Sequence, residues 1–128
     1  MLNINFSYSY KRPKMSKEAE IIFKVRLDEQ NVPEAIYWDA TDSDIEGLKA
    51  CSAMLISIWD HERKNSLSID LWTKEMTVEE INIHYFQTII RMAETYERAT
   101  NNKEIADMIK RFGSEFAGRA VEELPNAK

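Results

Sequence analysis

The apolar residues of this chain change from an alternating to a helical spacing just past its midpoint. Leu67, Ile69 and Leu71 alternate with polar or aromatic residues, which is typical of a β-strand with one buried face. Thr77 then precedes a helical pattern, and Glu80 follows it at the spacing of a capping box. The pattern therefore predicts strands before this junction and helices after it.

Upstream of the junction, the alternation predicts two antiparallel hairpins. The first pairs a strand over Glu20–Asp28 with a strand over Ala35–Asp39, across a turn that contains Pro33. The second pairs Leu48–Asp60 with the strand at the junction, across a charged loop. Together they predict an antiparallel sheet of about four strands.

Downstream, two long helices are predicted over Thr77–Thr100 and Lys103–Leu124. Two asparagines separate them, and so short a link implies an antiparallel pair. The fold class is therefore α+β, with the helices packed on one face of the sheet. Residues 15–128 are expected to form a single domain.

Residues 1–14 differ in composition from the rest of the chain. They are rich in Asn, Ser and Tyr, and Pro13 interrupts them. Met15 resembles a natural start, so we expect residues 1–14 to be an N-terminal extension outside the core. The alternative is a short edge strand built from Asn5–Tyr10.

The second hairpin has a constrained register because its apolar residues must share one face. Ile58 must pair with Leu67 or with Ile69, since a shift by one residue would turn the apolar set outward. The buried face then carries Met54, Ile56, Ile58, Leu67, Ile69 and Leu71.

The opposite face of this hairpin is the predicted partner-binding surface. It carries Leu55, Trp59, Asp70 and Trp72, and two tryptophans on an otherwise wet sheet face are typical of a binding site. Two other interpretations stay open: the N-terminal segment or a loop covers a tryptophan, or the two faces are inverted.

Composition narrows the class of protein. A chain of 128 residues fits one domain, and the net charge of −5 without any cluster of Lys and Arg argues against nucleic-acid binding. No apolar run reaches the length of a membrane span, and the N-terminus lacks the apolar segment of a secretory signal. A single cysteine, Cys51, agrees with a reducing compartment, so a cytoplasmic location is expected.

The residue types that carry catalysis are few and scattered. Cys51 lies in an apolar strand, His61 in a charged loop and His84 beside the helix stripe, without any metal-binding or nucleophile motif. With three glycines in the chain, a phosphate-binding loop is also unexpected. We predict no catalytic residue, no metal site and no cofactor.

The acidic loop Asp39–Gly47 is the remaining candidate for ion binding. Asp42, Asp44 and Glu46 match three ligand positions of a calcium-binding EF-hand loop, but Ala53 stands where a bidentate Glu is needed. A solvated loop is the favoured interpretation.

The segment from Ile21 to about Phe116 resembles the gliding motility protein GldC family. The similarity lies in the strand pattern IIFKVRLDEQNVPEAIYWDATDSDIEG, in ISIWD before a charged loop, in SLSIDLWTKEMTVEEI, and in YERAT at the end of the first helix. The resemblance implies a small non-enzymatic accessory of the bacterial gliding machinery, which is linked to protein export. It carries no catalytic residues to this chain.

The leading hypothesis is an accessory protein that binds a protein partner of the gliding or secretion machinery. A small export-chaperone-like dimer is a related form, so a homodimer is possible. The alternative from another class is an enzyme or ligand-binding domain that uses the acidic loop, residues 39–46.

Overall fold

The computed structural model describes the backbone of residues 2–9 and residues 17–120 in full. The strands in this part of the chain are β1 (Leu2–Ser9), β2 (Glu18–Leu27), β3 (Pro33–Ala40), β4 (Lys49–Cys51), β5 (Ala53–Asp60) and β6 (Asn65–Trp72); the helices are α1 (Val78–Thr100) and α2 (Lys103–Ala120). Antiparallel strands followed by two long helices confirm the predicted α+β class.

The chain divides into two compact units, a strand unit that ends at Met76 and a helical unit that begins at Thr77. The boundary lies at the predicted junction between strand and helix. The prediction of a single domain over residues 15–128 stays a prediction, as does the packing of the helices on one face of the sheet.

Both predicted hairpins are present, and each belongs to a sheet of its own. The first sheet has the order β1-β2-β3-β4 and the second consists of β5 and β6, with every neighbouring pair antiparallel. In the first sheet Val25 pairs with Ile36, which places these two branched side chains on the same face.

The core of the strand unit lies between the two sheets. Val25 and Ile36 of the first sheet form one buried cluster with Met54 of the second. Partly buried apolar residues pack against this cluster: Phe23, Leu27, Cys51, Ile56, Ile69 and Leu71. The two sheets thus pack these apolar residues against each other, as two-layer domains require. Leu67, which was predicted on the same buried face of the second hairpin, is instead 43% exposed.

The sequence predicted one strand over Leu48–Asp60, and the structure divides it at Ser52. The residues before Ser52 pair with β3, and those after it pair with β6. The Ser52 carbonyl accepts a hydrogen bond from the buried Thr73 N–H at 2.9 Å. This long-range bond holds the bend at which the chain passes between sheets, and the local apolar pattern does not reveal it.

The N-terminal segment runs along the free side of β2. The backbone of Leu2–Ser9 is antiparallel to β2, and Phe6 is opposite Ile21. This is an edge strand, as in the alternative over Asn5–Tyr10, although Tyr10 itself lies outside the described residues. The assignment of residues 1–14 to an extension outside the core stays a prediction.

The helical unit begins with the predicted capping box. Glu80 N–H donates to Thr77 Oγ1 at 3.1 Å, and Thr77 N–H donates to Glu80 Oε2 at 3.0 Å. Asn101 ends α1 in the left-handed region with φ of 56°, and the Asn102 side chain then accepts from Ile105 N–H at 3.1 Å. The predicted end of the second helix at Leu124 lies outside the described residues.

The two helices are antiparallel, as predicted, and small residues line their contact. Asn82 Nδ2 near the start of α1 donates to the Ala120 carbonyl at the end of α2, at 3.2 Å. A Cβ added to Gly113 would lie 2.9 Å from Ile90 Cδ1 and 3.1 Å from Ile89 Cγ2. Glycine at 113 therefore lets α2 approach α1 closely, despite its cost in helix propensity.

We expect the substitution Gly113→Val to lower the free energy of unfolding by about 1–3 kcal/mol, because a branched side chain overfills this contact. Chemical denaturation measures the change. Ser114→Val is the matched control, since Ser114 is exposed on the same helix. Equal losses for the two variants would contradict close packing at Gly113.

Candidate functional site

The outer face of the second hairpin carries the four residues predicted to bind a partner. Ile58 pairs with Leu67, which is one of the two registers that the sequence allowed. Leu55 and Asp70 form a direct cross-strand pair, so both project from the face opposite Met54. We call the surface made by Leu55, Trp59, Asp70 and Trp72 the hairpin face.

The two tryptophans of the hairpin face are exposed but lie far apart. Trp72 is opposite Ala53 and Trp59 is opposite Ser66, at the two ends of the hairpin. Six residues of strand separate these positions, or about 20 Å at 3.4 Å per residue. Trp59 is 63% exposed and Trp72 is 55% exposed. The hairpin face therefore offers two aromatic positions rather than one aromatic patch.

Trp72 borders an apolar groove in the strand unit. The groove encloses about 260 Å³. Residues from the end of β6 and from the turn before β3 line it: Val32, Pro33, Asp70, Leu71, Trp72 and Lys74. Because the Lys74 N–H donates to the Pro33 carbonyl at 3.3 Å, the backbone ties the two sides together. The tryptophan thus stands beside a concave apolar surface with charged groups at its rim.

The sequence did not indicate Val32, Pro33 or Lys74 as members of this site. Lys74 follows Trp72 closely in the chain, but Pro33 begins β3 of the other sheet and Val32 lies in the turn just before it. Only the packing of the two sheets brings them to Trp72, so neither periodicity nor spacing contains a signal for them.

Asp28 organises the turn beside this groove. Its Oδ1 accepts the N–H of Gln30 at 2.8 Å and the N–H of Val32 at 3.0 Å. Its Oδ2 receives the Lys74 ammonium at 3.3 Å, and Glu34 lies 4.0 Å from the same ammonium. The hydrogen bond from Val32, supported by Gln30 and Lys74, holds the pKa of Asp28 below its ordinary value despite partial desolvation.

Trp59 lies at the other end of the hairpin, next to a loop that is closed by hydrogen bonds. Asp60 Oδ1 accepts the N–H groups of Glu62 and Arg63 at 2.9 and 3.0 Å, and Lys64 closes the loop with a positive φ of 51°. His61 is exposed in this loop. The tip therefore presents Trp59 beside charged side chains on a fixed backbone.

The acidic loop folds around one lysine. The Lys49 ammonium donates to Asp39 Oδ1 at 3.1 Å and to the carbonyls of Ile45 and Gly47 at 2.8 Å each. It also lies 4.5 Å from the centre of the Trp38 ring. The hydrogen bond from Lys49 lowers the pKa of Asp39, with help from the Ala40 N–H.

Neither the groove at Trp72 nor a polar hollow at the β2–β3 turn includes Asp39, Asp42 or Asp44. Among residues 17–120, no group of three or more His, Cys, Asp or Glu side chains is placed to hold a metal ion. The loop therefore uses Asp39 in an ion pair with Lys49.

The remaining reactive side chains lie apart from the hairpin face and from one another in the sequence. Burial raises the pKa of the half-buried Cys51 thiol, which lowers the fraction of reactive thiolate. His84 places its Nε2 away from solvent without a hydrogen-bond partner, and its ring meets Tyr85 edge-on at 6.2 Å. Neither residue forms a nucleophile–base pair in the part of the chain that the structure describes.

A family model for gliding motility-associated proteins of the GldC-like type matches residues 33–122. A search of the curated proteins gave no match, and a search of the solved structures gave none either. Neither α1 nor α2 combines the length and apolar character needed to cross a lipid bilayer.

The ion pair and turn at Asp28 generate a pH prediction. The pKa of Asp28 is lower in the folded state than its unfolded value of 3.8. The carboxylate therefore stabilises the fold at pH values above 3.8, and this contribution is lost as the pH falls through the folded-state pKa. We therefore expect Asp28→Asn to be less stable than the wild type at pH 7. The difference should shrink steadily below pH 4.

Urea denaturation between pH 7 and pH 3 tests this expectation. Glu29→Gln is the matched control, because Glu29 is the exposed neighbouring acid and its removal should leave the unfolding free energy nearly unchanged. A deficit of Asp28→Asn that is the same at every pH would contradict the role of the charge.

Proposed function

Since the family model covers well over half of its length, this chain belongs to the GldC-like family of gliding motility-associated proteins, and we propose that it is a non-enzymatic accessory of the gliding machinery. It acts by binding a protein partner, a component of the gliding or secretion apparatus. The cytoplasm is the proposed location, in keeping with a single cysteine in 128 residues.

The observation that carries this proposal is the position of Trp72 beside the apolar groove. Exposed tryptophans at the border of an apolar depression are typical anchors of protein interfaces, because they bury a large area at little cost in conformational entropy. Asp70 and Lys74 supply charge at the same rim. Such a rim favours a protein surface with both apolar and polar groups over a purely apolar ligand.

The chemistry elsewhere in the strand unit supports a binding protein rather than an enzyme. The carboxylate of Asp39 is held by Lys49, and the Cys51 thiol has a raised pKa. Catalysis by either group needs the opposite arrangement, a free carboxylate in a pocket or a stabilised thiolate. With a net charge of −5, the chain also lacks the positive charge that nucleic-acid binding requires.

We expect Trp72→Ser to weaken partner binding at least tenfold, because it removes an aromatic anchor from the groove. Trp59→Ser tests the other end of the hairpin face by itself, since about 20 Å separates the two side chains. The measurement is the amount of each gliding-machinery component retained by the tagged chain in a gliding bacterium, followed by titration of the purified pair.

The matched control is the double variant Ile45→Ser, Leu48→Ser, which removes two exposed apolar residues, one in the acidic loop and one directly after it. It should bind like the wild type. Each variant must keep a cooperative unfolding transition, so that loss of binding is separated from loss of fold. Undiminished binding by the Trp59→Ser, Trp72→Ser double variant would place the partner elsewhere on the molecule.

A further inference from the structure

The helical unit has one line of closest contact and one uncovered side. Ala93 of α1 and Ala106 of α2 are fully buried, and Gly113 is the third small residue of this line. On each helix, the residue that precedes a member of this line lies about 100° around the helix axis from it. Because the two helices are antiparallel, these preceding residues lie on the same side of the helical pair. Met92 and Phe112, which precede Ala93 and Gly113, therefore share one side.

That side of the helical unit is apolar and about half exposed. Tyr85 lies two turns before Met92, and Met108 lies one turn before Phe112. Their exposed fractions are 42% for Tyr85, 56% for Met92, 54% for Met108 and 58% for Phe112. We call the surface made by these four residues the helical face.

The opposite side of the same two helices is mainly polar, although the half-buried Ile83 and Ile90 of α1 also lie there. It carries Gln87, Glu94, Asp107, Lys110 and Ser114. The Lys103 ammonium adds an ion pair with Asp107 at 2.7 Å on the exterior of α2. The helical pair is thus amphipathic as a layer, and an amphipathic layer is stable when a second layer covers its apolar side.

We propose that the helical face is the contact surface of a homodimer, in which a second copy of this chain covers it. The two helical units then form a four-helix bundle around a two-fold axis that runs parallel to the helices. The helical face shares no residue with the hairpin face.

The exposed area of the helical face agrees with a dimer interface. A large apolar side chain presents roughly 200 Å² when fully exposed, so the four exposed fractions leave about 400 Å² of mainly apolar surface. A standard interface buries about 800 Å² on each partner, and slightly more than half of that area is non-polar. The half-buried Ile81, Ile89, Ile105 and Ile109 border the face and enlarge the contact.

The two-fold axis also pairs complementary shapes. Asn82 is level with Ala120, and Gly113 is level with Ile89 and Ile90, so Met92 and Phe112 lie at nearly the same height. A two-fold rotation about an axis parallel to the helices preserves this height. It lays α1 antiparallel on α2 of the partner subunit, with the flexible Met92 against the flat ring of Phe112 from the partner subunit.

Light scattering after size-exclusion chromatography tests the dimer with the full chain. The wild type should have a mass of about 30 kDa, twice the 15.0 kDa of one chain. Met92→Glu with Phe112→Glu should give a 15.0 kDa monomer that keeps its helical circular dichroism. The control Gln87→Glu with Ser114→Glu places the same charges on the polar side, and it should remain dimeric.

Two further variants locate the contact. In a Cys51→Ala background, we expect a chain with Met92→Cys and a differently tagged chain with Phe112→Cys to form an intermolecular disulfide under mild oxidation. A monomeric wild type overturns the proposal. A dimer that persists in the Met92→Glu, Phe112→Glu variant also overturns it, and so does the absence of a disulfide between the two differently tagged chains.

Discussion

The strand unit depends on the contact of Val25 and Ile36 with Met54. This contact joins two sheets that have no backbone ladder in common among the described strands. Because the side chains of a strand alternate between its faces, burying Met54 also decides where every other residue of β5 and β6 points. Leu55, Trp59, Asp70 and Trp72 face outward for this reason.

The same contact creates the concave surface at Trp72. With the second hairpin held against the first sheet, the end of β6 lies beside Val32 and Pro33. Two backbone hydrogen bonds hold this arrangement. The Thr73 N–H donates to the Ser52 carbonyl, and the Lys74 N–H donates to the Pro33 carbonyl. The proposed binding surface is therefore largely preformed, so a partner would lose little free energy in ordering it.

Three acidic residues of the strand unit order turns. Asp28, Asp39 and Asp60 each accept backbone N–H groups at a turn, and Lys49 or Lys74 neutralises two of them. Loops that are tied down in this way keep the ends of the strands in place. At the start of the negative stretch that leads from β3 to β4, Asp39 is therefore accounted for by its ion pair with Lys49.

The elements and their type could be predicted from the sequence alone. Alternation gave the two hairpins, the capping box at Thr77 gave the start of α1, and the requirement for one apolar face allowed two registers, of which the Ile58–Leu67 pairing is observed. These features depend on residues that are close in sequence or on a period of two or 3.6, so local chemistry suffices for them.

Tertiary structure alone decided how these elements meet. The bend at Ser52, the division into two sheets and the approach of Val32 and Pro33 to Trp72 all depend on contacts between residues far apart in sequence. Which residues belong to the hairpin face was predictable, because successive side chains of a strand alternate between its two faces. The distance of about 20 Å between its tryptophans depends on the register of the hairpin. The apolar pattern of the two strands allows two registers, and the packed core selects one of them.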